Sequence, residues 1–266
     1  MTKTNTHTGK VILAAAGCGD PELITVKAAR YLQQADIVLT DRLVSEDILK
    51  TYVRPGVEVI YVGKQYNKDA SLQQQEINEL LLKYALQHKL VVRLKGGDVS
   101  FFSNILDELQ TLAEHHIPFE IIPGVTAASG AASYAGIPLT ARGYSTSVRF
   151  LTSYKKEIVT DDYWKELAET KDTLVFYMSS ETLDNVVLHL TAHKIDATKL
   201  LAVIEQGTTP MQNISVCNLY EYDKTLKNKA FASPAIVIIG KVVALHQQFA
   251  WHKSTHTNEL YFKPVS

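Results

Sequence analysis

The sequence predicts an α/β fold built from two α/β domains, and three observations support that prediction. Short apolar runs alternate along the chain with segments of helical periodicity, which is typical of strands joined by crossover helices. The clearest run, residues 90–94, is β-branched in its middle and is soon followed by Gly96-Gly97-Asp98, as expected of a buried strand whose loop passes close to a ligand. The alternation breaks at residues 142–147 and then restarts.

This break divides the chain into the parts that we predict to fold separately. The 266 residues are enough for two medium-sized domains. We predict a tail at residues 1–8, an N-terminal α/β domain at 9–142, a C-terminal α/β domain at 143–250 and an extension at 251–266, whose role the pattern does not predict.

Each domain is predicted to contain both strands and helices. In the first domain we predict strands at residues 11–14, 37–39, 57–62, 90–94 and 119–122, and helices at 21–34, 73–87, 105–115 and 127–135. In the second we predict strands at 149–152, 174–178, 201–204 and 235–239, and a helix at 182–193. Asp20 before Pro21 is a favourable helix start, and Thr25 is a competing N-cap one turn later.

Composition argues against several classes of protein. The formal net charge of −1 gives no global basic field for nucleic acid. Cys18 and Cys217 stand far apart without metal-ligand spacing, which favours a reducing compartment and no bound metal. The first ten residues are polar, unlike a signal peptide, and no apolar run approaches the ~18 residues of a membrane helix. We therefore expect a cytoplasmic protein that binds neither membranes nor nucleic acid.

The strand-end loops also lack the common catalytic and phosphate-binding motifs. The loop at residues 17–20 contains Gly-x-Gly, but Glu22 occupies the third glycine position of the dinucleotide fingerprint and Pro21 intrudes. There is no Walker lysine–serine pair, and residues 145–147 lack the strand–serine–helix elbow of a hydrolase. Loops of glycine, small and hydroxyl residues can grip a ligand with backbone groups, which favours one without a large phosphate charge.

Read together in order, these loops resemble the tetrapyrrole methyltransferases, and among them the uroporphyrinogen-III C-methyltransferases. The resemblance covers residues 9–251. It rests on residues 16–25, 35–44, 62–64, 93–98, 122–126 and 135–140 in the first half, and on 174–178, 207–210 and 233–237 in the second.

The resemblance implies two domains with the active site in the cleft between them, and a homodimer. It implies S-adenosylmethionine as cofactor, S-adenosylhomocysteine as product, and methylation of uroporphyrinogen III at C2 and C7 to give precorrin-2 for sirohaem or cobalamin. By position, the implied cofactor contacts are Gly96, Gly97, Asp98, Phe101, Thr126, Met178, Gly207, Thr208 and Ala235. The implied catalytic residues are Asp41 and Met178.

The substrate carries eight carboxylates, so the resemblance also implies cations near the tetrapyrrole. Its substrate-side positions are Asp41, Lys64, Asn104 and Arg142. Lys95 and Arg149 are further candidate cations, although each of these basic residues could equally be an ordinary surface or pairing charge.

The departures from the family pattern lie mainly on this substrate side. The usual arginine after the Gly-Gly-Asp loop is Asn104, which cannot supply a cation, and the usual Gly-Lys-Arg loop is Gly63-Lys64-Gln65. Two alternatives therefore stay open: a methyltransferase for another precorrin intermediate, and a catalytically weakened protein that binds a tetrapyrrole or S-adenosylmethionine. The sirohaem and cobalamin branches, and the identity of the proton acceptor, are also left open.

Overall fold

The computed structural model describes residues 9–62, 70–152, 160–255 and 260–262. It divides the chain into two compact units, one comprising Met1–Thr126 and Phe262–Ser266 and the other Ala127–Tyr261. The division therefore falls after Thr126, and not at the residue 142 that the sequence pattern indicates. The physical reason is that the helix following Thr126 buries its small side chains on the sheet of the second unit.

The first unit contains a five-stranded sheet in which every pairing is parallel. Its strand order is β3-β2-β4-β1-β5, with β1 at Lys10–Ala15, β2 at Ile37–Thr40, β3 at Glu58–Tyr61, β4 at Leu90–Lys95 and β5 at Phe119–Ile122. The five strands predicted for this part of the chain are confirmed, with every end within one residue of its predicted position.

Helices cover both faces of this sheet. They are α1 at Val26–Gln34, α2 at Glu46–Tyr52, α3 at Ala70–Leu86 and α4 at Leu106–Glu114. On one face, α1 and α2 bury Leu32 and Ile48 against even-numbered residues of β1 and β4. On the other face, α3 and α4 bury Leu81 and Leu112 against Val11 and its neighbours. Alternation of side chains along each strand produces this separation into two cores.

One helix start predicted for this unit is wrong, and one helix was missed. Asp20 caps only a short 3-10 helix, Pro21–Leu23, by accepting the Glu22 N–H at 2.8 Å. The extended Ile24 then interrupts the helical path, and Thr25 is the true N-cap of α1, accepting the Ala28 N–H at 3.2 Å. Helix α2 was not predicted, although Ser45 caps it and two acidic residues fill its first turn.

The second unit contains a mixed five-stranded sheet. The strand order is β6-β7-β10-β8-β9, with β6 at Val148–Thr152, β7 at Thr173–Tyr177, β8 at Leu200–Glu205, β9 at Asn213–Asn218 and β10 at Ala235–Gly240. Only β6 and β7 pair in parallel, and the other pairings are antiparallel. The predicted strands are confirmed, but the edge strand β9 was missed because its polar, half-exposed residues carry little apolar signal.

Helices again lie on both faces of the sheet. They are α5 at Ala127–Tyr134, α6 at Asp161–Glu169 and α7 at Leu183–Ala192, with the single turns α8 at Tyr222–Thr225 and α9 at His246–Phe249. Helix α5 packs on one face through Ala128, Ala131 and Ala132, whereas α6 and α7 pack on the other around Phe176. No helix among the described residues is both long and apolar enough to span a membrane.

The start of the predicted C-terminal extension packs on the second unit. The Trp251 indole N–H donates to the Ser133 carbonyl at 2.9 Å, and its ring lies 5.0 Å from that of Tyr134. The Thr255 N–H donates to the Pro210 carbonyl at 2.8 Å. These contacts place Trp251 against α5 and Thr255 beside the loop that follows β8.

A network of charges joins β1, α1 and β5 in the first unit. Glu120 Oε2 lies 2.8 Å from Lys10 Nζ and accepts the Tyr31 hydroxyl at 2.7 Å, while Lys27 pairs with the other carboxylate oxygen. These hydrogen bonds lower the pKa of Glu120 from 4.5 to about 2, and the one from Lys10 has the largest effect.

We predict that Glu120→Gln lowers the melting temperature at neutral pH and that this difference shrinks in acid. Because the folded-state pKa of Glu120 is depressed, its carboxylate stabilises the fold above about pH 4.5, and that stabilisation is lost as the pH falls toward 2. Thermal unfolding of both proteins from pH 7 to pH 3 measures the effect. An equal difference at every pH would contradict it.

Candidate functional site

The topology of the first sheet creates a ligand-binding position between β1 and β4. These strands are neighbours, but the chain leaves β1 toward α1 on one face and leaves β4 toward α4 on the other. In open α/β sheets, ligands bind outside the carboxyl ends of strands where the connections diverge in this way.

Three glycines form the backbone surface at this position. The Gly17 N–H donates to the Gly97 carbonyl at 3.1 Å, and the Gly97 N–H donates back at 2.6 Å. Both residues have positive φ, 80° and 71°, which side chains disfavour. A Cβ on Gly124 would lie 2.6 Å from the Ala15 Cβ. The loops after β1, β4 and β5 therefore meet as bare main chain.

Asp98 joins the β4 and β5 loops from beneath. Its carboxylate accepts the Ser100 N–H at 2.8 Å through one oxygen and the Gly124 N–H at 2.7 Å through the other. The side chain is buried, with 6% of its residue surface exposed. Asp98 was predicted as a cofactor contact, and the role that these bonds show is structural, because they hold the loops of the glycine surface together.

Asp41 lies next to this surface, at the end of β2. The register pairs Thr40 with Leu94, so Asp41 follows alongside Lys95. Asp41 accepts the Leu43 N–H at 3.1 Å, and a Cβ on Gly96 would lie 2.7 Å from the Leu43 Cβ. The loops that carry Asp41 and Gly96 are thus in close contact.

Behind these loops is a buried charge cluster, Arg93–Lys95–Glu108, that the sequence analysis did not identify. Glu108 Oε1 lies 3.1 Å from Arg93 Nε and 3.2 Å from Lys95 Nζ. Burial lowers the pKa of Lys95, and the nearby Arg93 lowers it further, while Glu108 opposes both effects. Lys95 is only 5% exposed and is paired with Glu108, which argues against its prediction as a cation for the substrate carboxylates. Alternation in β4 places both basic residues on the α4 face, and this signal could have revealed the cluster.

The other predicted residues of the first unit occupy different surroundings. Phe101 and Asn104 are exposed in the segment before α4, and Asn104 has a φ of 52° that asparagine tolerates better than most residues. Thr126 is half-buried in the loop after β5. Lys64 lies outside the described residues.

In the second unit, four predicted residues lie at one edge of the sheet, the edge at which β7 and β8 end and β10 begins. Met178 directly follows β7, has a φ of 52° and is 53% exposed. Because Ile236 pairs with Tyr177, Ala235 lies at the same end as Met178. Ala235 also pairs with the last residue of β8, and this pairing brings the Gly207 and Thr208 loop to that edge.

This loop is strained and tightly packed. Gln206 and Thr208 have φ values of 47° and 67°, and the latter is rare for a β-branched residue. The Thr208 N–H donates to Gln212 Oε1 at 2.8 Å, and a Cβ on Gly207 would lie 2.7 Å from the Ala131 Cβ. Strain that the surrounding packing maintains is typical of ligand-binding loops.

The two remaining candidate cations lie elsewhere in the second unit. Arg142 is exposed in the turn between Ala141 and Ser145. Arg149 lies 2.6 Å from Glu166 and 2.5 Å from Asp172, so its charge is already paired. Among the described residues, no group of three His, Cys, Asp or Glu side chains is arranged to hold a metal ion.

The chain is similar to curated proteins named siroheme synthase. The siroheme synthases of Nitrosomonas europaea and Saccharophagus degradans are 45% and 46% identical to the chain over 93% and 92% of its length. The chain spans about half the length of these curated relatives, 52% and 53% respectively.

Solved structures show the same architecture. The uroporphyrin-III C-methyltransferase of Thermus thermophilus, in complex with S-adenosylhomocysteine, is 34% identical, with a TM-score of 0.74 over 89% of this chain and 100% of that one. A cobalt precorrin-4 methyltransferase is 26% identical, with a TM-score of 0.78 over 91% of this chain and 99% of that one.

The match to a family model is direct and covers most of the chain. Residues 10–223 match the model described as Tetrapyrrole (Corrin/Porphyrin) Methylases. The chain belongs to the tetrapyrrole methylase family.

Proposed function

We propose that this chain transfers methyl groups from S-adenosylmethionine to C2 and C7 of uroporphyrinogen III, giving precorrin-2. The observation that carries the proposal is the glycine surface of Gly17, Gly97 and Gly124 at the diverging strands of a tetrapyrrole methylase sheet. The siroheme synthase relatives and the Thermus thermophilus structure with S-adenosylhomocysteine support this substrate and cofactor.

The residues of the first unit fit S-adenosylmethionine in chemical character. Bare backbone at Gly97 allows close approach of a nucleoside. Gly96, the neighbouring implied contact, lets its loop pack closely against Leu43, and the buried Asp98 holds the loop of Gly124 in place. Phe101 offers an exposed aromatic ring and Thr126 a hydroxyl-bearing side chain. This set matches a cofactor without a phosphate group.

The second unit contributes a separate set of proposed contacts. Met178 and Ala235 share the sheet edge with the strained Gly207 and Thr208 loop, whose backbone is held by Gln212. We assign cofactor contacts to all four residues at this edge, and Met178 also to the tetrapyrrole. Their agreement with the family pattern supports this assignment.

For this reaction the protein must align the methyl donor with the pyrrole carbon, exclude water and remove a proton. When bound, S-adenosylmethionine would supply a methyl group, activated by its positively charged sulfur, to an electron-rich pyrrole carbon, with S-adenosylhomocysteine as the leaving group. Asp41, fixed by the Leu43 N–H, is the carboxylate that we assign to accept the proton released after methylation. Preorganised loops supply the alignment.

On the substrate side we assign Asp41, Lys64, Asn104 and Arg142. Asn104 can donate a hydrogen bond to a substrate carboxylate but brings no charge. This substitution favours a second candidate function, a weakened enzyme or binding protein for the same ligands. We also propose a homodimer, as the family resemblance implies, and a cytoplasmic location, as the composition of the sequence indicates.

The first test is anaerobic incubation with S-adenosylmethionine and freshly reduced uroporphyrinogen III, followed by mass spectrometry. We expect a gain of two methyl groups. Binding of S-adenosylmethionine in calorimetry without any methyl transfer would reject the enzymatic proposal and favour the binding protein. Methylation of another precorrin only would reject the substrate.

We predict that Asp41→Asn lowers kcat by about 10²-fold or more, because general base catalysis contributes roughly 10²–10⁴-fold. The affinity for S-adenosylmethionine, measured by calorimetry, should stay within about twofold, since Asp41 is assigned to the substrate. An unchanged kcat would remove Asp41 from the mechanism.

We predict that Gly96→Ala lowers kcat by about 10²-fold, since its new Cβ would lie 2.7 Å from the Leu43 Cβ and displace the Asp41 loop. Gly240→Ala is the matched control, because Gly240 has an extended φ of 166° that alanine adopts and a Cβ there would meet only Thr173, at 3.4–3.5 Å. Equal activity of the two variants would show that the close packing at Gly96 is unimportant.

A further inference from the structure

Glu108 is the most unusual charged residue among those that the structure describes. It lies on α4 with no exposed surface, and one oxygen, Oε1, serves both Arg93 and Lys95. The other oxygen, Oε2, has no hydrogen-bond partner within the described part of the chain. A buried carboxylate oxygen without a partner is costly, so packing efficiency alone does not account for the residue.

Arg93 connects Glu108 to Asp41. Its Nη1 donates to the Leu94 carbonyl at 3.1 Å and its Nη2 lies 3.9 Å from Asp41 Oδ2. The guanidinium is planar, so binding of its Nε edge by Glu108 fixes the direction of the Nη2 edge that faces Asp41. The position of Asp41 thereby depends on a side chain from a different layer of the unit.

Glu108 also limits the positive charge in this region. Arg42, Arg93 and Lys95 are three cations, and Glu108 and Asp41 are two carboxylates. Without Glu108, the buried Arg93 and Lys95 would join Arg42 in competing for the single carboxylate of Asp41. Buried ion pairs stabilise folds little compared with apolar residues of the same size, which leaves a positioning role as the better explanation.

We propose that Glu108 is a positioning residue for Asp41: it holds Arg93 in the orientation that fixes the Asp41 carboxylate and neutralises the excess positive charge of Lys95. This inference rests on the proposed function, in which Asp41 accepts the proton. Glu108 itself is buried and touches neither substrate nor cofactor in this scheme.

The kinetic test compares Glu108→Gln with Glu114→Gln, an exposed position on the same helix. We expect Glu108→Gln to lower kcat by about 10–100-fold, the effect of a misplaced catalytic group, with an unchanged dissociation constant for S-adenosylmethionine. The control should keep wild-type kcat. Equal kcat for the two variants would overturn the proposal.

A charge-compensated variant separates positioning from a direct role. Glu108→Gln combined with Lys95→Met removes one anion and one cation and leaves the Arg93–Asp41 pair. We expect the kcat of this double variant to be at least tenfold higher than that of Glu108→Gln. If it folds and stays as slow as Glu108→Gln, a charge on Lys95 or Glu108 acts directly and the proposal fails. If Glu108→Gln alone does not fold, the kcat of the double variant is compared with that of the wild type instead, and a kcat close to that of the wild type supports the proposal.

A spectroscopic measurement tests the inference without methyl transfer. In protein labelled with ¹³C at aspartate carboxyl groups, Asp41→Asn identifies the Asp41 signal. We expect Glu108→Gln, but not Glu114→Gln, to shift that signal. No shift overturns the positioning role, even if the wild type methylates. A shift in a wild type that transfers no methyl group supports the positioning and rejects only the proposed function.

Discussion

The reciprocal backbone hydrogen bonds between Gly17 and Gly97 are the interaction on which the architecture of the first unit's site depends. They extend the pairing of β1 with β4 beyond the strands, at the point where the two connections diverge to opposite faces. Because both residues adopt positive φ, the loops can meet there without side chains. The bonds of Asp98 then add the β5 loop to the same surface.

The charges behind this surface follow from the same geometry. Arg93 and Lys95 precede Gly96 on β4 and point toward α4, so a buried carboxylate on that helix is needed to satisfy them. Glu108 meets this need and connects the helix layer to the loop of Asp41. In the second unit the candidate site contains a strained loop instead of a charge cluster. Packing of Gly207 against α5 and the hydrogen bond to Gln212 maintain the unfavourable φ of Thr208.

Much of the architecture could be predicted because strand runs and their terminating loops are local signals. The nine predicted strands and the family were found in this way. The unit boundary was misplaced because the break in the strand–helix pattern follows α5 in the sequence, whereas α5 packs on the sheet of the second unit. Strand β9 was missed because its apolar pattern is weak. Helix α1 begins at Val26 because the extended Ile24 stops the earlier turn, which propensity alone did not indicate.

The sequence by itself determined the fold class, the family and the strand-end loops that carry the candidate site, since these depend on periodicity and on ordered short motifs. Only the tertiary structure decided how the charged residues are used. It buried Lys95 with Glu108 and paired Arg149 with Asp172, and it left Asn104 exposed. The physical reason is that the role of a charge depends on its burial and on partners distant in the chain, which no local pattern encodes.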